Sequence, residues 1–374
     1  LAAKACGVAV YRFSTGFGRA LVSWRDRSGV EWCIAWIPLG GYVRFAGDDN
    51  AASVPNAEEL EILRKEILAR DGPHVLKSYF HFKPVWQRAI VVAAGPLANF
   101  LLAIVLTAGL LMAVGERTLP ARVESTVPGL PAALAGFQAG DVVVRADGRA
   151  LDSFEDLQQY VQIRAGSPIR FAVQRGGRDD TLVATPLLRE SDNGLGGLQK
   201  MGMLGISASH QVSDIRYRRY GPVEALSGGV WRTWDKITTM VVIIDRLIHG
   251  QLPAEQLHGP LGIAQISGAV VHAGAAGEPT LTLKVLGALT NLASLAAIIS
   301  VSIGFMNLLP VPVLDGGHLL FYAFEAAARR PLGAKVQAAG FRVGLALLLG
   351  LMLFATWNDL QRLRVFQLLG GIFS

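Results

Sequence analysis

The sequence is poor in cysteine and in charge. Only two cysteines, Cys6 and Cys33, occur among 374 residues, and they form no CxxC pair. Neither a disulfide framework nor a thiolate zinc site therefore organises the fold. Charged residues make up 17% of the chain and hydrophobic residues 51%, with a mean hydropathy of +0.38. Soluble domains carry about 25% charged residues, so this composition indicates an integral membrane protein.

Several catalytic motifs are also missing. The seven histidines include no HExxH pair, the spacing in which two imidazoles one helical turn apart bind zinc. A GxSxG elbow, a P-loop and a GxGxxG turn after a strand are absent too, which excludes the usual signatures of α/β-hydrolases and nucleotide-binding folds. The net charge of +6 comes with no DNA- or RNA-binding motif. We therefore assign the lysines and arginines to membrane flanks and expect no nucleic-acid partner.

Three runs with one charge at most are long enough to cross a bilayer, namely residues 89–115, 285–314 and 336–357. Lysine and arginine are frequent before the first run and after the second, whereas few follow the first. The positive-inside rule therefore predicts that residues 1–88 are cytoplasmic and that the chain leaves the cytoplasm after the first run.

An aromatic β-hairpin is predicted over residues 19–45, where apolar and polar residues alternate around a turn at residues 25–29. Before it, Leu1–Cys6 is interpreted as the tail of a helix, followed by a glycine-rich turn at Gly16 and Gly18. The apolar surface of the hairpin suits the membrane interface or a protein-lined cavity within the membrane. A small soluble sheet is the alternative.

Residues 122–189 have the composition of a soluble domain. The run Ala135–Asp141, with the sequence AGFQAGD, resembles a bacterial PDZ domain, and a helix is predicted from Ser153 to Ile163. Such domains bind extended peptides by adding a strand to a sheet edge, and residues 202–206 are the predicted edge strand. A steric spacer with an empty groove is the alternative. Further on, Trp231–Ile248 is amphipathic and is predicted to lie along the outer membrane face.

A single carboxylate ends the second uncharged run. Asp315 is the first charge after residues 285–314, and the prolines near the end of that run stop the helix. Gly316 and Gly317 permit a tight turn that directs the carboxylate into the protein. Such a carboxylate suits a metal ligand, a proton carrier or a buried ion-pair partner, whereas a helix-terminating turn at the membrane surface is the alternative. His318 is interpreted as structural or interfacial.

Taken in order, these motifs resemble the site-2 protease family of intramembrane zinc metalloproteases, and most of all its bacterial RseP (regulator of sigma-E protease) group. The resemblance covers essentially the whole chain. The matching segments are Arg12–Gly18, Ile37–Val43, Ala94–Phe100, the PDZ-like domain, Tyr220–Pro222 and, most specifically, Asn307–Leu320.

The resemblance implies a polytopic α-helical membrane protein with a membrane-associated β-hairpin and an inserted periplasmic PDZ-like α+β domain, located in the bacterial inner membrane. In order, its segments are a helix remnant with the hairpin and a cytoplasmic connector (1–88), a transmembrane helix (89–115), the PDZ-like domain (116–210), a periplasmic amphipathic segment (211–284), a transmembrane helix leading to the LDG motif (285–314), a cytoplasmic loop (315–335) and a last transmembrane helix with the C-terminal tail (336–374).

The resemblance also implies a site. Asp315 matches the Asp of the family's LDG motif and is expected to be the third ligand of a Zn²⁺ ion. The strand that contains Gly40, Gly41, Tyr42 and Val43 is expected to pair with an unwound substrate. Asn307 and Pro312 match positions that handle substrate beside the metal.

Part of that site is expected outside the given residues. In the family, an HExxH motif immediately precedes the segment that matches Leu1, so both histidine ligands and the general-base glutamate are expected there. The polypeptide as given is accordingly predicted to be inactive. Two further departures are Ser302, where RseP-like sequences often have Asn, and a single PDZ-like domain in place of two.

The implied activity is regulated intramembrane proteolysis of single-pass substrates such as anti-sigma factors. The expected partners are such a transmembrane substrate, the lipid bilayer and an upstream periplasmic protease that trims the substrate first. The alternative is a non-catalytic membrane scaffold that binds peptides through its PDZ-like domain. A transporter with Asp315 as a proton relay is disfavoured, because there are few spans and no internal repeat.

Overall fold

The computed structural model describes residues 1–26, 29–45, 57–70, 72, 75–192, 198–208, 216–250, 267–268 and 280–362. The helices are α1 (Ala2–Ala5), α2 (Ala57–Arg70), α3 (Val85–Ala113), α4 (Pro131–Leu134), α5 (Phe154–Gln162), α6 (Pro222–Ile248), α7 (Leu281–Asn307), α8 (Asp315–Ala328) and α9 (Ala334–Arg362). The strands are β1 (Val10–Arg25), β2 (Glu31–Phe45), β3 (Glu116–Thr118), β4 (Val123–Thr126), β5 (Val142–Ala146), β6 (Arg149–Ala150), β7 (Ile169–Arg175), β8 (Arg178–Ala184), β9 (Leu187–Asp192), β10 (Leu198–Met203), β11 (Ile206–Ala208) and β12 (Arg216–Arg218).

The chain divides into two compact units. The first contains Leu1–Phe100 and Ser302–Leu349, and the second contains Leu101–Val301 and Gly350–Ser374. The first unit holds the hairpin and the segment around Asp315. The second holds the PDZ-like segment and α6.

Three described helices are long and apolar enough to cross a membrane. Their apolar stretches are Val85–Ala113, Leu281–Asn307 and Lys335–Leu360. They correspond to the three long apolar runs of the sequence, although each boundary is shifted. The helical character and the three candidate spans agree with the predicted class of protein.

The hairpin is longer and more strongly bent than predicted. Residues 12–15 of β1 pair with residues 41–44 of β2 on one side and with residues 31–34 on the other, and the register shifts repeatedly along the strands. Residues 22–25 in turn pair with 31–34. The two inner segments, 12–15 and 31–34, are therefore paired on both sides, whereas 41–44 and 22–25 form the two edges.

Gly16 and Gly18, where the sequence predicts a glycine-rich turn, are both assigned to β1. Both have positive φ angles, 94° and 87°, which glycine adopts without steric cost. Residues 12–15 and 22–25 pair with opposite sides of residues 31–34 and run in opposite directions along them. The chain therefore reverses its direction after residue 15, as the predicted turn requires.

The structure also corrects the prediction for the segment after the second span. α7 ends at Asn307, seven residues before the predicted end of the span at residue 314. The predicted cytoplasmic loop 315–335 is mostly helical, because α8 occupies Asp315–Ala328. The glycines after Asp315 lie in the first turn of this helix and are buried. The sequence predicts a tight turn at these two glycines, whereas in the structure they lie in a helix because close backbone packing requires them.

The PDZ-like segment has its own core. β5 lies between β6 and β7 in a four-stranded antiparallel sheet of order β6-β5-β7-β8. Ile169, Phe171 and Val173 of β7 are fully buried. The predicted helix is α5, and Ser153 forms a reciprocal capping box with Asp156 at its start. Such a cap satisfies two backbone donors that the first turn leaves unpaired.

The predicted edge strand 202–206 is divided in the structure. β10 ends at Met203 and pairs with β9, whereas β11 begins at Ile206 and pairs with β4. Between them, Leu204 is buried and Gly205 has a φ angle of 81°. Glycine permits the sharp change of direction that one continuous strand would not allow.

Only part of the predicted segment 211–284 is described, namely residues 216–250, 267–268 and 280–284. The amphipathic helix in it, α6, begins at Pro222, nine residues before the predicted start at Trp231. Its first half packs on α3, since a Cβ on Gly229 would lie 2.7 Å from the carbonyl oxygen of Ile104. Such close backbone contact between helices requires a residue without a side chain.

One ion pair fastens the turn before β5 to β7. Asp141 is fully buried, and both of its oxygens accept hydrogen bonds from Arg175, at 2.7 Å and 2.8 Å. The Arg175 hydrogen bonds hold the pKa of Asp141 below its ordinary value of 3.8. The stabilisation is therefore fully present above that ordinary value and is lost as the pH falls through the lower value of the folded state.

We predict that Asp141→Asn lowers the free energy of unfolding of this domain by about 2 kcal/mol at pH 7. The difference from the unaltered protein should narrow as the pH falls below 4, because protonation removes the same charge. Hydrogen exchange of the β7 amides, followed by mass spectrometry, measures both effects. Asp152→Asn, which changes an exposed carboxylate of the same domain, should leave exchange unaltered. A pH-independent difference would contradict the prediction.

Candidate functional site

The candidate site is built on the connection between α7 and α8. After Asn307 the chain turns sharply, with backbone hydrogen bonds from Val311 to Leu309 (2.7 Å) and from Leu314 to Val311 (2.8 Å). Leu314 is extended, with a ψ angle of 163°, and α8 begins at the next residue. The two prolines of this connection cannot donate helical hydrogen bonds, so they favour this irregular path. Asp315 is thereby the first residue of a helix.

The first turn of α8 packs directly on the backbone of the connection. A Cβ on Gly316 would lie 2.2 Å from the carbonyl oxygen of Leu308 and 2.3 Å from that of Leu309. A Cβ on Gly317 would lie 2.3 Å from the carbonyl oxygen of Val311. These distances are far below van der Waals contact, so only glycine fits at either position. The two glycines thus fix how α8 leaves the connection and where Asp315 lies.

The Asp315 side chain lies beside α3. A Cβ placed on Gly95 would be 3.4 Å from Asp315 Oδ2, so the carboxylate contacts the surface of α3 where that helix has no side chain. Among the described residues, Asp315 has no hydrogen-bond or ion-pair partner. Partial burial raises the pKa of its carboxyl group above the ordinary value. A carboxylate in such surroundings is stabilised by a nearby cation.

The substrate-handling positions implied by the resemblance lie on two elements. Asn307 is the last residue of α7. Pro312 lies in the connection and is held by α9, because a Cβ on Gly340 or Gly344 would be 3.3 Å or 3.2 Å from the Pro312 ring. Asn307, Pro312 and Asp315 therefore belong to one turn of the chain.

The other predicted positions, Gly40, Gly41, Tyr42 and Val43, lie in β2. The last three belong to the edge segment 41–44, whose inner side pairs with β1. A Cβ on Gly41 would be 2.4 Å from the carbonyl oxygen of Ser14, so the two strands approach closely at this point. No other described strand pairs with the outer side of this edge.

An apolar cluster connects the hairpin, the first residues of the chain and α8. Ala3, Val8, Phe80, Val91 and Tyr322 are its buried members. Val10 and Phe45, at the open end of the hairpin, pack against this cluster, as does Leu319 of α8. Phe45 stacks on Phe80 with ring centroids 5.1 Å apart. The strand that carries the predicted substrate edge and the helix that carries Asp315 are thus held by the same core.

The described residues supply one candidate metal ligand in this region. No group of three or more His, Cys, Asp or Glu side chains that could hold a metal ion occurs in the part of the chain that the structure describes. His318 lies near Phe321 with ring centroids 6.4 Å apart. A structural zinc site has four protein ligands and a catalytic one three, so Asp315 alone does not form one.

A comparison with protein families identifies the family of the chain. Residues 1–351 match the model of peptidase family M50. The chain belongs to peptidase family M50. The members of this family, the site-2 proteases, depend on zinc, so the resemblance stated from the sequence motifs is confirmed at the level of family and cofactor.

Two relatives match nearly the whole chain. Metalloprotease MmpA of Caulobacter vibrioides is 52% identical over 373 residues, which cover 100% of this chain and 93% of the relative. A relative from Agrobacterium fabrum, provisionally named zinc metalloprotease Atu1380, is 40% identical over 363 residues, which cover 97% of this chain and 90% of the relative. Both names describe metalloproteases, as expected for the family.

Two of the solved structures that match are PDZ domains. The PDZ domain of an SdrC-like protein from Listeria innocua is 20% identical and covers 25% of this chain and 96% of that domain, with a TM-score of 0.21. The PDZ domain of the corresponding protein from Listeria monocytogenes is 23% identical, with a TM-score of 0.19. At these scores the likeness carries no argument about function.

The sequence places Gly95 in the matching segment Ala94–Phe100 but does not reveal its contact with Asp315. Nor does it reveal Arg88, Tyr322 and Glu325, which join α3 to α8. The spacing of Asp315, Tyr322 and Glu325 becomes a signal only once residues 315–328 are known to be helical, and the predicted loop 315–335 hides it.

We predict that Gly316→Ala destabilises the first unit by about 3 kcal/mol, the upper range for overpacking, because the added methyl group meets two backbone carbonyls. The change in unfolding temperature of the detergent-solubilised protein measures this effect. Gly350→Ala is the matched control, since this helical glycine has open space around its Cβ position and alanine favours a helix. Equal unfolding temperatures of the two variants would contradict the packing argument.

Proposed function

We propose that this chain is the membrane-embedded part of a zinc metalloprotease that cleaves single-pass transmembrane proteins, and that Asp315 is one of its zinc ligands. The observation that carries the proposal is the position of Asp315. It is a partly buried carboxylate without a cationic partner among the described residues, at the start of a helix, in a chain of a zinc-dependent protease family.

The remaining ligands are proposed to come from a segment before Leu1 that contains HExxH. The described packing supports this assignment, because Ala3 and Val8, near the first residue, share an apolar cluster with Leu319 and Tyr322 of α8. If a helix preceded Leu1 and continued into α1, its end would lie beside α8, the helix that carries Asp315. The two imidazoles and Asp315 would then hold the metal, and the glutamate of the motif would act as general base. Residues 1–374 alone are proposed to be inactive.

The edge segment 41–44 is proposed to bind the substrate. A transmembrane helix engages its own carbonyl groups in hydrogen bonds, so it must unwind before a peptide bond can be attacked. Its freed backbone groups need new partners, since unpaired groups are costly in a membrane. The edge segment, which no described strand other than β1 pairs with, offers such partners by strand addition. Asn307 and Pro312, on the connection next to Asp315, are proposed to contact the unwound segment.

The surface of the hairpin supports its association with the bilayer. Trp36 and Trp24 expose 71% and 49% of their surfaces, and Val22, Leu21 and Ile34 are exposed as well. Aromatic side chains of this kind are enriched at the membrane interface. The hairpin is therefore proposed to contact the lipid bilayer, as are the three apolar helices.

Location and regulation are proposed from the charge pattern. Lysine and arginine flank the first and third candidate spans on the side of the hairpin and α8, which supports our proposal that this side faces the cytoplasm and that the membrane is a bacterial inner membrane. The PDZ-like segment then faces the periplasm. There it is proposed to admit substrates already trimmed by another protease, so that the complete reaction is a regulated intramembrane proteolysis of anti-sigma-factor-like proteins.

We predict that Asp315→Asn abolishes zinc retention and cleavage in the protein extended by its own upstream coding sequence. Loss of a charged ligand removes most of the metal affinity, and the amide that replaces it is a poor zinc ligand. The zinc content of the purified protein and cleavage of a single-pass model substrate in proteoliposomes measure the two effects. Asp245→Asn is the control, because it changes an exposed carboxylate of α6.

Two results would contradict the proposal. If Asp315→Asn retains zinc and cleaves like the Asp245→Asn control, Asp315 is not a ligand. If the upstream reading frame encodes no HExxH, the protease assignment of the intact protein fails. The non-catalytic scaffold that binds peptides through the PDZ-like domain would then remain as the alternative.

A further inference from the structure

A polar contact joins α3 and α8 at the end of their interface away from Asp315. Arg88 Nη2 donates to Glu325 Oε1 at 2.5 Å, and the two side chains are only 14% and 20% exposed. Arg88 Nε donates to the carbonyl oxygen of Lys83 at 3.1 Å. The guanidinium carbon lies 4.9 Å from the ring centroid of Tyr322. One cation thus binds a carboxylate, a backbone carbonyl and an aromatic face at once.

This contact and the contact of Asp315 with Gly95 define an alignment. Along α3, Gly95 follows Arg88 by seven residues. Along α8, Asp315 precedes Tyr322 by seven residues. Arg88 contacts Tyr322, and Gly95 lies beside Asp315, so the two helices run in opposite directions with equal spacing. Seven helical residues correspond to about 10.5 Å along the axis, and the two contacts mark the ends of one antiparallel interface.

The interface between these two ends is apolar. Val91 and Leu319, each three residues from the Arg88–Tyr322 contact, belong to the same hydrophobic cluster, together with Val92. Apolar burial is not directional, so valine and leucine side chains do not by themselves select one axial position. A charge-assisted hydrogen bond from a guanidinium is directional and is broken by a shift of a few ångströms. The polar contact therefore determines the alignment.

We propose that Arg88 is a positioning residue, which through Glu325 and Tyr322 fixes the axial position of α8 on α3 and so places the Asp315 carboxylate beside Gly95. The proposal rests on the function proposed above for Asp315. Lysine is not equivalent at this position, because one ammonium group cannot bind the carboxylate, the carbonyl and the ring in the geometry of a planar guanidinium.

Cross-linking measures the alignment without reference to activity. In a protein with Cys6→Ala and Cys33→Ala, the pair Val91→Cys and Leu319→Cys is treated with a short, membrane-permeant bifunctional thiol reagent. We expect Arg88→Met to lower the cross-linked fraction by about tenfold, because removal of one partner leaves the other charge buried and uncompensated. Arg88→Lys should give an intermediate value. Arg330→Met, which removes an exposed cation just after α8, should match the parent.

Zinc retention measures the consequence for the site. In the protein extended by its upstream coding sequence, Arg88→Met should lower zinc affinity by about tenfold or more, the usual cost of removing a group that orients a metal ligand. Glu325→Gln should also lower the zinc affinity. Arg88→Lys should retain part of the zinc affinity of the unaltered protein, and Arg330→Met should retain all of it. The amount of protein inserted in the membrane is compared first, so that misfolded variants are not scored.

The outcomes separate the two proposals. Loss of both cross-linking and zinc affinity in Arg88→Met supports the positioning role. Unchanged cross-linking overturns it, and so does lost cross-linking with unchanged zinc affinity. If Asp315→Asn abolishes zinc retention whereas Arg88→Met leaves it intact, only the positioning role fails. If Asp315→Asn itself retains zinc, the proposed function fails and the positioning of a ligand fails with it.

Discussion

The close backbone contact beneath Gly316 and Gly317 is the constraint on which the candidate site depends. Three carbonyl oxygens, those of Leu308, Leu309 and Val311, occupy the space that side chains at these two positions would need. The contact forces the chain to reverse within the seven residues between α7 and α8. As a consequence, Asp315 is placed at the beginning of a helix and directed at α3 by the backbone packing of its neighbours.

Small residues on the neighbouring helices α3 and α9 also position the site, because they leave room for its side chains. Gly95 on α3 leaves room for the carboxylate, and Gly340 and Gly344 on α9 leave room for Pro312. Each glycine replaces a side chain that would push a neighbouring segment away. Because a membrane provides no hydrophobic force that drives helices together, such close packing is a main source of their association. The site is therefore held by shape on two sides and by the Arg88–Glu325 ion pair at one end.

The sequence predicted those features whose signal is local. Asp315 stood out because uncharged residues precede it over a length that spans a membrane, and the three apolar helices followed from the same pattern. α8 was not predicted, since two consecutive glycines resemble a turn unless the carbonyls packed against them are known. The change of direction at Gly16 and Gly18 was predicted, because glycine adopts the positive φ angles of a turn without steric cost. The Arg88–Glu325 pair joins residues 237 positions apart, and no periodicity within one segment reveals such a partner.

That separation has a consequence for assembly. Arg88 lies at the beginning of the first candidate span, whereas Glu325 and Asp315 follow the second, so the contact that aligns α8 on α3 forms only after most of the chain has been made. Until then, Arg88 lacks its carboxylate partner, and the groove on α3 beside Gly95 is not yet covered by α8. Contacts between residues so distant in sequence form late, because a large loop must close before they can contribute. The proposed metal ligand therefore reaches its position late in folding, after both α3 and α7 have been made.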